Sequence, residues 1–255
     1  MLRKILINAE IFFGIIKNIK NWPSYLLNYI GIFKNNNVFL RNGLRYIIRP
    51  DTNDKTILNE IWIKKLYSPT GFEIKENDIV IDIGAHIGIF STFAAFQAKK
   101  GIVYSFEPLK ENFELLKKNV EINKLKNIKI FNKGLGGRED FEKLYISEKN
   151  KAAHSTKIIE NKNNYTLIEI TTLKKIIDQI NNKVNLLKID CEGCEYDVLL
   201  SLPRKYFEKI DKIVLEFHEI NEKYNHKIIL NHLKKMKYRI FVLNNFYSMI
   251  YAIKY

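Results

Sequence analysis

The chain has 255 residues, 46% of them hydrophobic and 27% charged, enough to bury one large core or two modest ones and too apolar for intrinsic disorder. Its formal charge of +14 suggests an anionic partner such as nucleic acid, a membrane surface or a phosphorylated substrate. The lysines are spread through nearly every segment, however, so nucleic acid is a possible partner but not a favoured one. Two cysteines form no disulfide framework, and a cytoplasmic location is the default expectation.

The N-terminal stretch "MLRKILINAEIFFGIIKNIK" starts basic and turns apolar. Asn8 and Glu10 interrupt the apolar run, Lys17 ends it, and no small-residue cleavage site follows, so it is too short and too polar to span a bilayer. A packed amphipathic helix is expected, with peripheral membrane contact as the alternative. In "VFLRNGLRYII", Asn42-Gly43 between two strand-like runs predicts a hairpin with both turn positions at positive φ. "TILNEIWIKKLY" then places Ile57, Leu58, Ile61, Trp62 and Leu66 on one helical stripe. Residues 1–70 are expected to form an N-terminal extension that caps a domain spanning 71–255.

From about residue 78, short apolar strands alternate with amphipathic helices, the pattern of a parallel sheet covered on both faces. "DIVIDIG" is a buried strand, and its helix "GIFSTFAAFQAKK" ends at Gly101, a suitable residue just past a helix end. "IVYSFEP" is a second strand, and Pro108 suits the start of a helix with the stripe Leu109, Phe113, Leu116 and Val120. "NIKIF" is a third strand. Between about 134 and 170, "FEKLYIS" and "YTLIEIT" flank a polar loop, which predicts a β-ribbon insertion. The alternation resumes with helix "TLKKIIDQI", strand "VNLLKID", a helix from about 194, strand "KIVLEFH" and helix "HKIILNHLKKM". "YRIFVL" and "YSMIYAI", separated by Asn244-Asn245, close the chain as an antiparallel hairpin at the sheet edge.

"VIDIGAHIGIF" is a strand, a glycine turn and a helix start, so it should bind a ligand where the strand ends. His86 and Ile89 stand where a dinucleotide fingerprint needs glycines, and no lysine completes a phosphate-binding loop. What remains is Asp82, Gly84 and Gly88, followed at the end of the next strand by Glu107. Gly84 would let backbone approach a ligand, and Glu107 could accept two hydrogen bonds from a ribose diol, each worth roughly 1.5–3 kcal/mol for a charged acceptor. S-adenosylmethionine, a nucleoside without a pyrophosphate, meets that description, and its positive charge would favour an acidic site.

In order along the chain, "VIDIGAHIGIFSTFAA", "YSFEPLKENFELLKKNVEIN", "LLKIDCEGCEYDVL" and "IVLEFHE" resemble the successive blocks of FkbM-type methyltransferases, a branch of the class I S-adenosylmethionine-dependent enzymes. The resemblance covers about residues 78–220. It implies an α/β, Rossmann-like, doubly wound sheet of seven mostly parallel strands with the last strand antiparallel. It also implies S-adenosyl-L-methionine as cofactor, with Asp82, Gly84, Ala85 and Gly88 on the cofactor loop and Glu107 as the ribose acid. Family members are mainly O-methyltransferases, many acting on sugar hydroxyls, so a small-molecule or glycan hydroxyl is the implied acceptor. Cys191 and Cys194 depart from the common pattern, and the first 70 residues lie outside it.

Asp190 closes "VNLLKID" and Glu192 follows in the turn, while Glu216 and His218 share one face near the end of the neighbouring strand. A carboxylate in an apolar parallel strand is costly unless paired or functional, which singles out Glu216. Asp190 and Glu192 are expected to orient or deprotonate the acceptor hydroxyl, with His218 as the alternative base. His154-Ser155 could face the acceptor from the insertion loop. The acids could hold a divalent metal, but nothing in the spacing demands one. The C-x-x-C of Cys191 and Cys194 could signal redox or zinc chemistry, but surrounding carboxylates oppose a thiolate, so both are expected to be small packing residues at the Gly193 turn. The alternatives on this fold are an RNA methyltransferase, a non-catalytic nucleotide-binding protein and an oxidoreductase. The absent dinucleotide fingerprint argues against the last.

Overall fold

The computed structural model describes residues 9–146, 164–244 and 247–255. His154-Ser155 and Asn245 lie outside them. The elements are α1 (Ala9–Asn18), α2 (Trp22–Tyr29), β1 (Asn37–Phe39), β2 (Arg45–Ile47), α3 (Asp54–Trp62), β3 (Ile79–Ile83), α4 (Ile89–Gln97), β4 (Ile102–Phe106), α5 (Lys110–Ile122) and β5 (Ile128–Phe131). There follow β6 (Gly134–Gly136), β7 (Asp140–Tyr145), β8 (Tyr165–Thr172), α6 (Leu173–Asp178), β9 (Val184–Ile189), α7 (Glu195–Ser201), α8 (Arg204–Phe207), β10 (Ile210–Glu216), α9 (His226–Lys235), β11 (Tyr238–Asn244) and β12 (Ser248–Lys254).

Seven strands form the main sheet in the order β11-β12-β10-β9-β3-β4-β5. β12 pairs antiparallel with both of its neighbours, while β10, β9, β3, β4 and β5 pair in parallel. The closing hairpin is therefore not simply appended to the edge: β12 inserts between β10 and β11. Its residues Met249, Ile250, Tyr251 and Ala252 are all buried, as a strand covered on both faces must be, whereas β11 alternates and takes the edge. From β3 the chain runs through α4 to β4 on one side and returns to the other side, at β9, only after β5 and the ribbon strands, so the strand order reverses at β3 and opens a crevice beyond the carboxyl ends of these strands.

Strand alternation divides the core. Val80, Leu186 and Val214 face one layer, where they meet Ile15, Tyr46, Leu58, Trp62 and Phe93. Ile81, Leu187 and Leu215 face the other, with Phe106, Tyr196 and Phe207. The N-terminal region thus shares a core with the sheet. α1 packs through Ile11 and Ile15 while Phe13 stays exposed, and no described helix is long and apolar enough to cross a membrane. The ribbon insertion appears as a separate three-stranded sheet, β6-β8-β7.

Three local expectations change. The β1-β2 turn uses one left-handed residue rather than two, Gly43 with φ 99°. Gly43 N–H donates to the Leu40 carbonyl, and Leu40 N–H donates to Leu44, which makes a three-residue loop closed by a glycine bulge. α4 ends at Gln97 with Ala98 as its cap. Gly101 serves close approach instead: a Cβ there would sit 1.9 Å from the Asp78 carbonyl oxygen. α5 begins after Leu109, so Pro108 precedes the cap.

The inner face of α5 is also more polar than its apolar stripe suggests, because Asn112 and Asn119 are buried beside Leu116. Asn119 accepts from Ile47 N–H (2.8 Å) and donates to the carbonyls of Ile47 (3.1 Å) and Ile87 (2.8 Å). Asn123 repeats the pairing on Arg45, at 2.8 and 2.7 Å. Four helical residues rise about 6 Å and two strand residues about 6.6 Å, so amides at i and i+4 match alternate residues of a strand edge. The helix thereby satisfies the free edge of β2 as a neighbouring strand would. Asn119→Ala should lower the unfolding free energy by about 1–3 kcal/mol in urea titration, because it leaves buried backbone groups unpaired.

Candidate active site

β3 and β9 end side by side, and a buried ion pair holds them there. Lys188 Nζ lies 3.0 Å from Asp82 Oδ1 and 3.8 Å from Asp190 Oδ2, and it donates to the Gly84 carbonyl at 2.7 Å. Burial pushes the Lys188 ammonium down, but the charges of Asp82 and Asp190 outweigh it and hold its pKa above the ordinary lysine value. Ser91 donates to the other Asp82 oxygen at 2.5 Å. Gly84 has φ 76°, and a Cβ there would meet the Asp190 carbonyl oxygen at 1.7 Å. The close approach that requires this glycine is thus to the protein's own backbone.

The next residues of the turn grip Glu107. His86, left-handed at φ 52°, donates its backbone N–H to Glu107 Oε2 at 2.8 Å, and Leu109 N–H donates to Oε1 at 3.0 Å. Burial pushes the Glu107 carboxyl up to about 7 against these hydrogen bonds. The His86 ring is fixed from the N-terminal region. Arg49 donates to its Nε2 at 2.8 Å, binds both oxygens of the buried Asp54 and reaches Asn112 Oδ1 at 2.8 Å. Burial lowers the His86 pKa to about 4, so the ring is neutral with its proton on Nδ1, a buried atom with no protein partner.

Acids gather on the β9 and β10 side. Tyr67 O–H lies 2.9 Å from Asp190 Oδ2 and 3.0 Å from Glu216 Oε2. Burial, with the nearby carboxylates, raises Glu60 and Glu216 to about 7. Burial likewise raises Glu192 to about 7, partly offset by His218.

Two expectations are corrected here. Cys191 and Cys194 are joined by a disulfide rather than standing as separate packing residues. Positive φ at Glu192 (54°) and Gly193 (112°) turns the chain back within four residues and brings the two Cα atoms to 5.5 Å, inside the range a disulfide needs. Carboxylates that oppose a thiolate leave a disulfide untouched, because it has no proton to lose. His218, proposed as a base, lies between two acids: Nδ1 is 3.0 Å from Glu195 Oε1 and Nε2 is 3.2 Å from Glu192 Oε2. Burial alone would lower its pKa, but Glu195 and Glu192 raise it to about 10. An imidazolium has no lone pair to accept a proton, so this charged ring between two acids is not poised to act as a base at neutral pH.

A cavity of about 270 Å³ opens above these groups. Gly84, His86, Phe106, Glu107 and Asn112 line one side, while Asp190, Glu192, the disulfide and Glu216 line the other. Asn53, Thr56, Ile57, Glu60 and Tyr67 form a wall from the N-terminal region, and the ribbon adds Leu144, Ile168 and Ile170. Of the sequence-predicted residues, Gly84, Glu107, Asp190 and Glu192 reach the cavity. Asp82 is buried beneath it, and Ala85 is buried with its N–H donating to the Phe106 carbonyl. Gly88 caps α4 in a left-handed conformation, and a Cβ there would sit 2.3 Å from a Leu116 methyl.

The family profile described as "Methyltransferase FkbM domain" matches residues 82–240. The chain belongs to the FkbM methyltransferase family. "Methyltransferase 1" of Beauveria bassiana (strain ARSEF 2860) is 26% identical over 181 residues, covering 63% of this chain and 72% of that one. The "31-O-demethyl-FK506 methyltransferase FkbM" of Streptomyces tacrolimicus is 35% identical over 63 residues, 25% of this chain and 24% of that one. The crystal structure of a methyltransferase FkbM from Methylobacillus flagellatus KT shares the fold, with a TM-score of 0.52 and 18% identity. That match covers 74% of this chain and 47% of the Methylobacillus chain, so this chain spans under half of that protein.

As an FkbM methyltransferase the chain uses S-adenosylmethionine, which when bound supplies a methyl group already activated by its sulfonium. The cavity fits such a group. Among the described residues its lining holds the carboxylates of Glu60, Glu107, Glu142, Asp190, Glu192, Asp197 and Glu216 and no Lys or Arg, which suits a cationic nucleoside without phosphates. Glu107 keeps lone pairs beyond its two backbone hydrogen bonds, and His86 Nδ1–H is a donor in want of an acceptor. Lys188, Arg49, Asp54, Glu60 and Tyr67 were not identified from the sequence. A lysine inside the apolar run "VNLLKID" was the available signal, by the same argument that singled out Glu216.

Lys188→Met should cost about 3–5 kcal/mol of stability in denaturant titration, because it leaves Asp82 buried without its counter-charge. The His218 ring should stay charged from pH 6 to 8 when its carbon-bound protons are followed by NMR. Its folded pKa of about 10 lies above the unfolded value of about 6.5, so its stabilisation is complete below about pH 6.5 and is lost as pH rises through about 10.

Proposed function

We propose that the chain is an S-adenosylmethionine-dependent O-methyltransferase acting on a hydroxyl of a neutral sugar, in a glycan, glycolipid or related metabolite. The lining that joins many carboxylates to no Lys or Arg among the described residues carries this reading. Such walls repel phosphate and carboxylate groups and accept hydrogen bonds from hydroxyls, which weighs against the RNA alternative despite the chain's net charge of +14.

In this reading Glu107 accepts from the ribose, while Gly84 and the backbone of the turn, supported by Asp82, Ala85 and Gly88, border the cofactor. Asp190 orients the acceptor hydroxyl and takes its proton as the methyl moves, with Glu192 beside it. A sugar hydroxyl is weakly acidic, so the base must act during transfer, while positioning supplies much of the rate. The N-terminal 70 residues act as part of the acceptor wall through Glu60 and Tyr67. One relative's name motivates methyl transfer to a natural-product or metabolite hydroxyl, as "31-O-demethyl-FK506 methyltransferase" states for the Streptomyces protein.

The test is to incubate the protein with methyl-labelled S-adenosylmethionine and separated neutral glycan, lipid and RNA fractions. Label is expected in the glycan or lipid fraction, and label confined to RNA would overturn the reading. Glu107→Ala should weaken S-adenosylhomocysteine binding about tenfold or more by calorimetry, the loss of one charged hydrogen bond. Unchanged affinity would remove Glu107 from the cofactor site.

A further inference from the structure

Tyr67 sits outside the family match at 82–240, yet its phenol touches both acids at the centre of the cavity. Its O–H is 2.9 Å from Asp190 Oδ2 and 3.0 Å from Glu216 Oε2. The side chain is buried, with 4% exposure. Its ring is clamped by Phe90, with centroids 5.7 Å apart, and by the Lys188 ammonium 5.4 Å from its centroid. The chain leading into it is tied to the sheet, because Tyr251 O–H donates to the Leu66 carbonyl at 2.9 Å.

A phenol carries one proton and can donate it to one acid. Two ionised carboxylates around one donor would leave the second facing a lone pair across 3 Å, a repulsive contact in a buried setting. The short distances to both acids are satisfied when one carboxylate accepts from Tyr67 and the other, protonated, donates to the phenol oxygen. Surrounding charges decide which is which. Lys188, itself paired with Asp82, lies 3.8 Å from the same Asp190 oxygen and favours its ionised form. Glu216 faces the negative charge of Asp190, with Glu60 of α3 and Tyr251 of β12 also nearby, against weaker help from His218 and Lys188. Its carboxyl is accordingly pushed up to about 7, first by burial and then by Asp190. Glu192 completes the acidic set. The phenol is held well above its ordinary pKa by burial and these acids, so it keeps its proton.

We propose that Tyr67 is a positioning residue that sets the proton partition at the centre of the site, donating to an ionised Asp190 while accepting from a protonated Glu216. This rests on the reading of Asp190 as the acceptor-side acid. Tyr67 thereby aims the ionised acid, leaves it able to take the acceptor proton, and keeps two like charges from meeting in one buried space.

The partition can be read without any acceptor. In protein carrying ¹³C-labelled Asp and Glu carboxyls, the signal that vanishes in Glu216→Gln should titrate near neutral pH. Tyr67→Phe should move the Glu216 midpoint downward by about one unit, since the lost phenol oxygen accepted from the protonated form. A Glu216 signal titrating in the ordinary carboxylate range, or a Glu216 midpoint unmoved or raised in Tyr67→Phe, would overturn the proposal. Tyr67→Phe should lower kcat about tenfold with its acid limb moved to higher pH and S-adenosylhomocysteine affinity unchanged. An unshifted limb counts against the partition. Full turnover in Asp190→Asn would instead sink the parent assignment of the base, and the carboxyl titration would still decide this one.

Discussion

The Lys188–Asp82 ion pair is the constraint on which the site depends. It lies where β3 and β9 end, with the lysine ammonium 3.0 Å from the aspartate and 2.7 Å from the Gly84 carbonyl. One cation therefore fixes both the acid at the end of its own strand and the glycine turn at the end of the next. Gly84 completes the arrangement by letting the two chains meet at a distance no Cβ would permit. Burying these charges is costly, and the return is a rigid platform on which the turn, Asp190 and Glu107 hold fixed relative positions.

The N-terminal region extends that platform. Arg49 joins Asp54, His86 and Asn112, and the amides of the buried Asn119 and the half-buried Asn123 hold the edge of β2. The same region then sends Glu60 and Tyr67 into the cavity wall. A segment that lies before the family match thus contributes to the wall of the family's own crevice. The disulfide between Cys191 and Cys194 adds a second local restraint, holding the turn that presents Glu192.

The sheet was legible because its signals are local. Apolar runs such as "DIVIDIG" and "KIVLEFH" are bounded by glycine, proline and polar clusters, and each has one good reading. Gly84, Glu107, Asp190 and Glu192 were legible because a doubly wound sheet collects the residues that close its strands. Other features depended on distance in sequence. Nothing near Tyr67 shows that its phenol meets residues 123 and 149 positions away. The asparagines of α5 read as breaks in an apolar stripe because their partner is a strand edge more than 70 residues earlier. His218 looked like a base because its two carboxylate neighbours meet it only in three dimensions. The cysteines looked like filler because a disulfide over four residues needs the left-handed backbone at Glu192, which that residue type does not announce.

The most direct test is a crystal structure of the protein with S-adenosylhomocysteine. The account predicts the ribose hydroxyls in hydrogen-bonding contact with Glu107, and the sulfur directed toward the Asp190 and Tyr67 side of the cavity. A nucleoside bound away from Glu107, or a sulfur turned away from those acids, would contradict it.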